Sequence, residues 1–173
     1  MKTICSPLDA DLIKTLRAGD EVFLNGTMFT ARDAAHLRVN EHILKHQQPP
    51  FSLHHQLIYY SGPSPSSPKR KVGSIGPTTS SRMDAFSEPL LQHGLKGMVG
   101  KGERSKALQE WLVQYQAIYF VTIGGAGSLL SQCVEDIEPY LYEDLGPEAI
   151  YRLNVNHFPL YVAYDIFGGS IFR

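Results

Sequence analysis

The sequence predicts an α/β protein folded as a single domain over residues 1–173. Segments with strand-like and helix-like patterns alternate along the chain, which favours this class. The run AIYFVTIG (117–124) is continuous, apolar and rich in β-branched residues, as is typical of a buried strand. The segment before it, 103–116, places its apolar side chains on one helical face. A chain of this length can bury a sizeable core as one domain.

Local start and stop signals define the other predicted elements. Asn25-Gly26 tolerates positive φ at both positions, so 21–31 is predicted as two extended runs joined in a hairpin. Segment 63–71 holds three prolines, three serines and three cations and is predicted as a solvated or mobile loop, with a lid as the alternative. Two or three strands are expected to close the chain. The predicted helices cover 8–17, 32–46, 81–91, 103–116 and 127–137, and the other predicted strands cover 55–62, 95–100, 117–124 and 159–168.

Charge and cysteine content argue against several classes of function. The formal net charge is -1, so the chain lacks the basic field that nucleic acids require. Cys5 and Cys133 are too few for a disulfide framework or for a zinc or iron–sulfur ligand set, and they suggest a reducing compartment. The sequence has no apolar run of membrane-spanning length. We therefore expect a cytoplasmic protein without a nucleic-acid or membrane partner.

Basic residues recur where a predicted strand gives way to a helix. In TARD (30–33) and SRMD (81–84) the first and last residues have the spacing of a capping box, which places Arg32 and Arg82 in first helical turns. Lys101 occupies a third junction, in the glycine-rich turn of VGKGERS. Helix N-termini attract anions, and strand-to-helix junctions of α/β sheets often converge. Converging junctions would form a cationic pocket for a small molecule with two or more negative groups, although capping boxes also occur as purely structural devices.

Other site motifs fit poorly. The phosphate-loop pattern fails because five residues separate Gly94 from Gly100 and Gly102 follows the lysine, and the glycine block 124–127 is only a weak dinucleotide signal. His42 and His46 lie one helical turn apart, but the sequence offers no complete set of metal ligands beside them. A serine nucleophile-elbow motif is likewise missing from the sequence.

Six blocks of the sequence carry a family resemblance. They resemble, in order and at fitting intervals, the β subunit or C-terminal domain of iron–sulfur-dependent class I fumarate hydratases and L-tartrate dehydratases. The blocks are FTARDAAH, GPTTSSRMD, GMVGKG, VTIGGAGSLL, DLGPEAIYRLNV and FPLYVAYDIFG. The resemblance implies a swivelling β/β/α domain, like the fumarase C-terminal domain, and a reversible hydration of a four-carbon dicarboxylate. It also implies a four-iron–four-sulfur cluster held by a partner α subunit, in a two-α, two-β assembly.

The resemblance also implies roles for four residues. Arg32, Thr78, Arg82 and Lys101 match the substrate-binding and catalytic positions of the family, with Thr78 at the position proposed to move the substrate proton. Ser81 stands where the family usually has glycine, and this departure leaves the choice between fumarate and tartrate open. Two alternatives remain at this point: a non-catalytic anion-binding module of the same fold, and a nucleotide-binding enzyme.

Overall fold

A seven-stranded mixed sheet forms the centre of the computed structural model, which describes residues 1–172. The strands are β1 Lys2–Cys5, β2 Glu21–Thr30, β3 Leu57–Tyr59, β4 Gly97–Gly100, β5 Ile118–Val121, β6 Val134–Leu141 and β7 Ile150–Tyr164. The α-helices are α1 Ala10–Thr15, α2 Asp33–His46, α3 Asp84–Gln92, α4 Lys106–Tyr115 and α5 Gly127–Leu130, and 3₁₀ turns cover Ser80–Met83, Ser131–Cys133 and Glu143–Glu148. The predicted α/β class is confirmed.

The two longest strands, β2 and β7, close part of the sheet into a circuit. The strand order is β1-β2-β3-β4-β5-β7-β6, and β2 also pairs with β7. Strands β2, β3, β4 and β5 run parallel to one another. Strand β7 is antiparallel to both β2 and β5. A closed circuit leaves these central strands without a free edge, which protects their backbone groups from pairing with other chains.

Side chains alternate between two hydrophobic cores on the two faces of the sheet. In β5, Ile118 and Phe120 pack into one core while Tyr119 packs into the other. Strand β3 divides in the same way, since Leu57 and Ile58 point to different cores. This period of two is what a strand buried on both faces requires. Helices α2, α3 and α4 bury their apolar faces in the second core, the one that contains Tyr119.

The two predicted capping boxes are wrong. Arg32 is the N-cap residue of α2 and makes no side-chain cap bond, while the Oγ1 atom of Thr30 accepts a hydrogen bond from the Tyr151 backbone at 3.1 Å. The Asp84 carboxylate does not turn back to cap its own helix, because it accepts from the buried Arg104 guanidinium. The three-residue spacings from Thr30 to Asp33 and from Ser81 to Asp84 therefore do not reflect capping boxes.

The predicted hairpin at Asn25-Gly26 is also wrong. Strand β2 runs without a turn through both residues, and its register against β7 shifts between Leu24 and Gly26. Gly26 has a φ of 108°, and a Cβ built there would lie 2.8 Å from the Ser6 carbonyl oxygen. Gly26 thus permits a bulge in β2 and lets the chain that follows β1 approach closely. Both requirements come from the tertiary fold, and neither involves a turn at Asn25-Gly26.

Three further differences concern strands β1, β6 and β7. The sequence predicts one helix over 127–137, but α5 ends at Leu130 and the chain becomes strand β6 at Val134. Strand β1, which pairs in parallel with β2, escapes the sequence analysis. The predicted closing strand 159–168 is the end of the much longer β7, whose first residue is Ile150.

Gly26 and Gly19 provide a matched pair for testing the bulge. Both glycines have positive φ, but a Cβ at Gly19 meets no atom within 4 Å. Gly19→Ala should lower the free energy of unfolding by about 1 kcal/mol through backbone strain alone, and Gly26→Ala by about 2 kcal/mol or more because its methyl group also meets Ser6. Urea denaturation of both variants measures the difference. Equal losses would contradict the close approach.

Candidate active site

Four parallel strands end along one edge of the sheet. Strands β2, β3, β4 and β5 pair in parallel, so their carboxyl ends face the same way. The residues just beyond these ends include Arg32, Gly62, Lys101 and Gly124. Ligands of α/β proteins bind beyond the carboxyl ends of the strands. The fold therefore places two of the four sequence-predicted site residues, Arg32 and Lys101, on one edge.

Arg32 lies at the start of α2 with its charge only loosely compensated. Its side chain is one-third exposed, and the nearest acid in an ion pair is Glu148, with 4.0 Å between Nε and Oε1. The Nε atom is buried and finds no hydrogen-bond acceptor among residues 1–172. The side chain packs on Gly62, where an added Cβ would lie 3.2 Å from Arg32 Cδ and 2.9 Å from the Pro147 carbonyl oxygen. A ligand carboxylate could satisfy this guanidinium.

The hydroxyl run 78–81 is anchored by its backbone and by one buried hydroxyl. The Thr78 N–H donates to the Tyr60 carbonyl at 2.8 Å, and the Ser80 N–H donates to the Lys101 carbonyl at 3.1 Å. Ser80 Oγ is buried, where it accepts from the Lys101 N–H at 3.0 Å and shares a hydrogen bond of 2.9 Å with the Tyr119 hydroxyl, which donates to the Gly102 carbonyl at 2.8 Å. Ser80 thus connects the run to the end of β4.

Arg82 joins Thr78 to the first acid of α2. Its Nη2 donates to Thr78 Oγ1 at 3.0 Å, while Nε and Nη2 lie 3.2 and 3.3 Å from the two carboxylate oxygens of Asp33. All three residues lie at the surface, and the Arg82 side chain is 48% exposed. In this arrangement the guanidinium is shared between an acid and a hydroxyl. Arg82 therefore presents part of its charge to solvent.

Lys101 approaches from the other side of the hydroxyl run. It forms a parallel β-bridge with Thr79, and a Cβ at Gly124 would lie 3.6 Å from Lys101 Cδ. The lysine stem therefore lies beside the glycine-rich turn after β5. None of the ion pairs found among residues 1–172 includes Lys101. Its ammonium group is accordingly open to an anion.

The fold brings the predicted residues together to different degrees. Thr78 and Arg82 are in direct contact, and Arg82 reaches the residue that follows Arg32. Lys101 is joined to the same turn through the backbone of Thr79 and Ser80. Within residues 1–172, the Arg32 and Lys101 side chains form no hydrogen bond to Thr78 or Arg82. The four residues therefore lie on neighbouring segments of this edge, whose surface is open at Arg32 and Arg82.

A cavity of about 430 Å³ lies beside this surface. It separates the predicted loop 63–71, which is indeed a loop, from the chain around Pro147 and Tyr151. Its lining includes none of Arg32, Thr78, Arg82 and Lys101. We therefore place the candidate site at Arg32, Arg82 and Lys101 because of their charge, and not in the neighbouring cavity.

Comparison with known proteins identifies the family. Residues 4–173 match the family model described as "Fumarase C-terminus". The chain belongs to this family. It is 39% identical over 171 residues to the "Putative L(+)-tartrate dehydratase subunit beta" of Methanocaldococcus jannaschii, and the match covers 93% of this chain and 86% of that protein. The predicted family resemblance is confirmed.

Two further relatives represent both branches of the fumarase C-terminal family. The L(+)-tartrate dehydratase subunit beta of Escherichia coli strain K12 is 33% identical over 175 residues, with 98% of this chain and 86% of that protein covered. The mitochondrial fumarate hydratase 1 of Leishmania major is 35% identical over 152 residues, which are 87% of this chain but 28% of that longer protein. The chain is therefore related to hydro-lyases, as a β subunit in the first case and as one part of a longer enzyme in the second.

A buried arginine escapes the sequence analysis. Arg104 is 4% exposed, and its Nε donates to Asp84 Oδ1. Its Nη2 lies 3.2 Å from the Tyr60 hydroxyl and 3.3 Å from Ser87 Oγ. The Asp84 carboxylate also accepts from the Ser105 N–H at 2.7 Å. The one signal in the sequence is an arginine directly after the glycine turn of VGKGERS, and nothing local reveals that it is buried.

Residues 1–172 do not fit a metal cluster. Cys5 lies on β1 and Cys133 follows α5, and both are free thiols. No group of three or more His, Cys, Asp or Glu side chains among residues 1–172 could hold a metal ion. His42 and His46 stack with 4.4 Å between ring centroids but have no further ligand beside them in that part of the chain. No step of the chemistry below is therefore assigned to a metal bound by this chain.

The described helices also bear on the membrane question. None of the helices within residues 1–172 is both long enough and apolar enough to cross a membrane.

His36 is a fully buried, neutral group beneath Arg32. Its Nδ1 lies 2.8 Å from the Arg32 carbonyl oxygen, so Nδ1–H donates there. Burial lowers the pKa of His36 to about 4, an effect that the hydrogen bond to Arg32 opposes and the charge of Arg104 reinforces. A neutral imidazole at this position avoids adding a cation next to Arg32. The ring also packs edge-on against Tyr60, with centroids 5.4 Å apart.

The buried His36 should make stability depend on pH. The unfolded chain takes up a proton near the ordinary histidine pKa, whereas the folded chain resists until about pH 4, so stability is lost as pH falls between these values. The free energy of unfolding should drop by about 2 kcal/mol from pH 7.5 to pH 5 because of this group. Urea denaturation at both pH values should show a smaller drop for His36→Gln. Leu44→Gln, on the exposed face of α2, should keep the wild-type drop.

Proposed function

We propose that this chain is the β subunit of a hydro-lyase that reversibly hydrates a four-carbon dicarboxylate, such as fumarate to malate, or dehydrates tartrate to oxaloacetate. The hydrogen bond of 3.0 Å from Arg82 Nη2 to Thr78 Oγ1 is the main support. It joins a cation and a hydroxyl at the positions that match the functional residues of the family. Arg32 and Lys101, at the same edge of the sheet, supply two further positive charges.

Substrate binding follows from the three cations. A four-carbon dicarboxylate carries a negative charge at each end. Arginine can grip one carboxylate with two parallel hydrogen bonds, while lysine acts as a point charge. In this proposal Arg32, Arg82 and Lys101 share the two carboxylates, and the substrate replaces part of the interaction between Arg82 and Asp33. The loose compensation of Arg32 is consistent with that role.

The proton step is assigned to Thr78. An isolated threonine hydroxyl is too weak an acid to act as a base near neutral pH. Hydrogen bonding to the charged form favours that form, and Arg82 donates such a bond to Thr78 Oγ1. Thr78 would then accept the proton from the substrate carbon beside a carboxylate, and Arg82 would stabilise the negative charge that develops on the carboxylate. A carboxylate of the partner subunit is needed to take up the proton of Thr78.

The proposal requires a partner. We assign the four-iron–four-sulfur cluster to an α subunit, where it would supply a Lewis acid when bound. The β chain would close over it as a single swivelling β/β/α domain in a cytoplasmic two-α, two-β assembly. An open surface with uncompensated cations is what such a half-site needs before the partner covers it. The relatives named subunit beta support the existence of a partner.

Reconstitution tests the proposed function. The purified chain alone should show no hydratase activity, and activity should appear when it is combined anaerobically with its α subunit. Malate, fumarate and both tartrate enantiomers are assayed in parallel, by the ultraviolet absorbance of fumarate and by chemical detection of oxaloacetate. Binding of dicarboxylates without activity in any reconstituted mixture would instead identify an anion-binding module.

Substitutions at Arg82 and Thr78 test the site. Arg82→Ala should lower kcat by a factor of about 10² to 10³ because charge stabilisation is lost in the transition state. Thr78→Val should lower kcat by at least about 10², whereas Thr78→Ser keeps the hydroxyl and should retain most activity. Arg152→Ala is the matched control, since Arg152 is 49% exposed and pairs with Glu138 much as Arg82 pairs with Asp33. Equal activity in Arg82→Ala and Arg152→Ala would remove Arg82 from the site.

A further inference from the structure

Arg104 is the most completely buried charge among the described residues with ion pairs. Its side chain has no exposed surface, and that of Asp84, its ion-pair partner, is 13% exposed. Removing an arginine from water is costly unless its charge and its N–H groups find partners. Burial alone would lower the pKa of Arg104, but Tyr60 and Asp84 outweigh that effect, and the net shift is upward. The guanidinium therefore remains charged inside the fold.

Two tyrosine rings complete the surroundings of this charge. The guanidinium carbon lies 5.1 Å from the centroid of Tyr60 and 4.8 Å from that of Tyr119. These distances allow cation–π attraction, which is strongest where water is excluded. The Nη1 atom has no hydrogen-bond acceptor among residues 1–172, and attraction between the guanidinium and the two rings offsets part of that loss. The geometry is specific to a planar group that can donate at its edge and stack on its faces.

Each neighbour of Arg104 holds a different part of the candidate site. The carbonyl of Tyr60 accepts from the Thr78 N–H at 2.8 Å. The Tyr119 hydroxyl lies in hydrogen-bond contact with Ser80 Oγ at 2.9 Å, and Ser80 Oγ accepts from the Lys101 N–H. Asp84 directly follows the 3₁₀ turn that contains Arg82. One buried group therefore contacts the supports of Thr78, Arg82 and Lys101 together.

We propose that Arg104 is a positioning residue, whose buried guanidinium sets the distance between the Thr78–Arg82 turn and Lys101. This inference rests on the proposed hydro-lyase function for its catalytic meaning. Arg104 does not touch substrate, because its side chain is enclosed by the protein. It acts through Asp84, Tyr60 and Tyr119. A residue that only stabilised the core would leave the relative placement of the two turns unchanged.

Amide hydrogen exchange on the full-length chain tests the positioning directly. Arg104→Lys keeps a charge but loses the fork and the planar faces, and Tyr119→Phe removes one hydroxyl while the ring still packs. In both variants the amides of Thr78, Ser80 and Lys101 should exchange about tenfold faster or more, as expected when local openings become easier. Val99, inside β4, reports on global opening. Ile13→Val, in the core on the other face of the sheet, is the control for general destabilisation.

Turnover in the reconstituted complex tests the catalytic consequence. Arg104→Lys and Tyr119→Phe should lower kcat about tenfold or more and raise the primary isotope effect with malate deuterated at the carbon that loses its proton. A misplaced Thr78 makes that proton transfer slower. Loss of folded protein alone lowers the rate without changing the isotope effect. Ile13→Val should therefore keep the wild-type isotope effect.

The outcomes separate the two proposals. Exchange at Thr78, Ser80 and Lys101 no faster than in Ile13→Val would overturn the positioning role, even if Arg104→Lys failed to fold, because Tyr119→Phe gives the same readout. Faster exchange with wild-type kcat and isotope effect would also overturn it. If the wild-type complex has no activity on any dicarboxylate, the proposed function fails, while the exchange data still decide whether Arg104 holds the turns together.

Discussion

The parallel pairing of β2, β3, β4 and β5 is the constraint on which the candidate site depends. Parallel neighbours send their carboxyl ends to one edge, so residues far apart in sequence emerge side by side. Antiparallel pairing of β2 or β4 would carry Arg32 or Lys101 to the opposite edge. The long strand β7 fixes the order of these strands, because it pairs with both β2 and β5 and closes the circuit. Charges can then be held at an open surface without an enclosing pocket.

Charge is distributed in two layers at this edge. Below the surface, Arg104 and Asp84 form a buried pair with further hydrogen bonds to Ser87 and Ser105, although Arg104 Nη1 has no acceptor among the described residues. Above it, Arg32 and Lys101 lack close acidic partners within the described residues, and Arg82 has only a half-exposed one. The difference has a physical basis. A buried charge must be compensated during folding, whereas an exposed cation is solvated until a ligand or another subunit replaces the water.

The sequence predicts the elements whose signals are local. The sequence correctly predicts helix α2, helix α4 and strand β5 because periodicity and apolar runs report directly on the faces that they bury. The hairpin at Gly26 and the helix beyond Leu130 were wrong because the pairing of β2 and β6 with β7 is decided by residues far away in sequence. The site residues were proposed from motifs and resemblance. Arg104 was missed because only the tertiary fold shows that an arginine after a glycine turn is enclosed by two tyrosines.

Asp33 affects how Arg82 interacts with the Thr78 hydroxyl. The guanidinium of Arg82 reaches both Thr78 and Asp33, and the acid weakens the field that favours a negatively charged Thr78 oxygen. A dicarboxylate that draws Arg82 away from Asp33 would strengthen that field only when substrate is present. In the absence of substrate, Asp33 keeps the flexible side chain near Thr78, which reduces the entropy lost on binding. Under the proposed function, the open surface would therefore be ordered before a ligand and a partner subunit arrive.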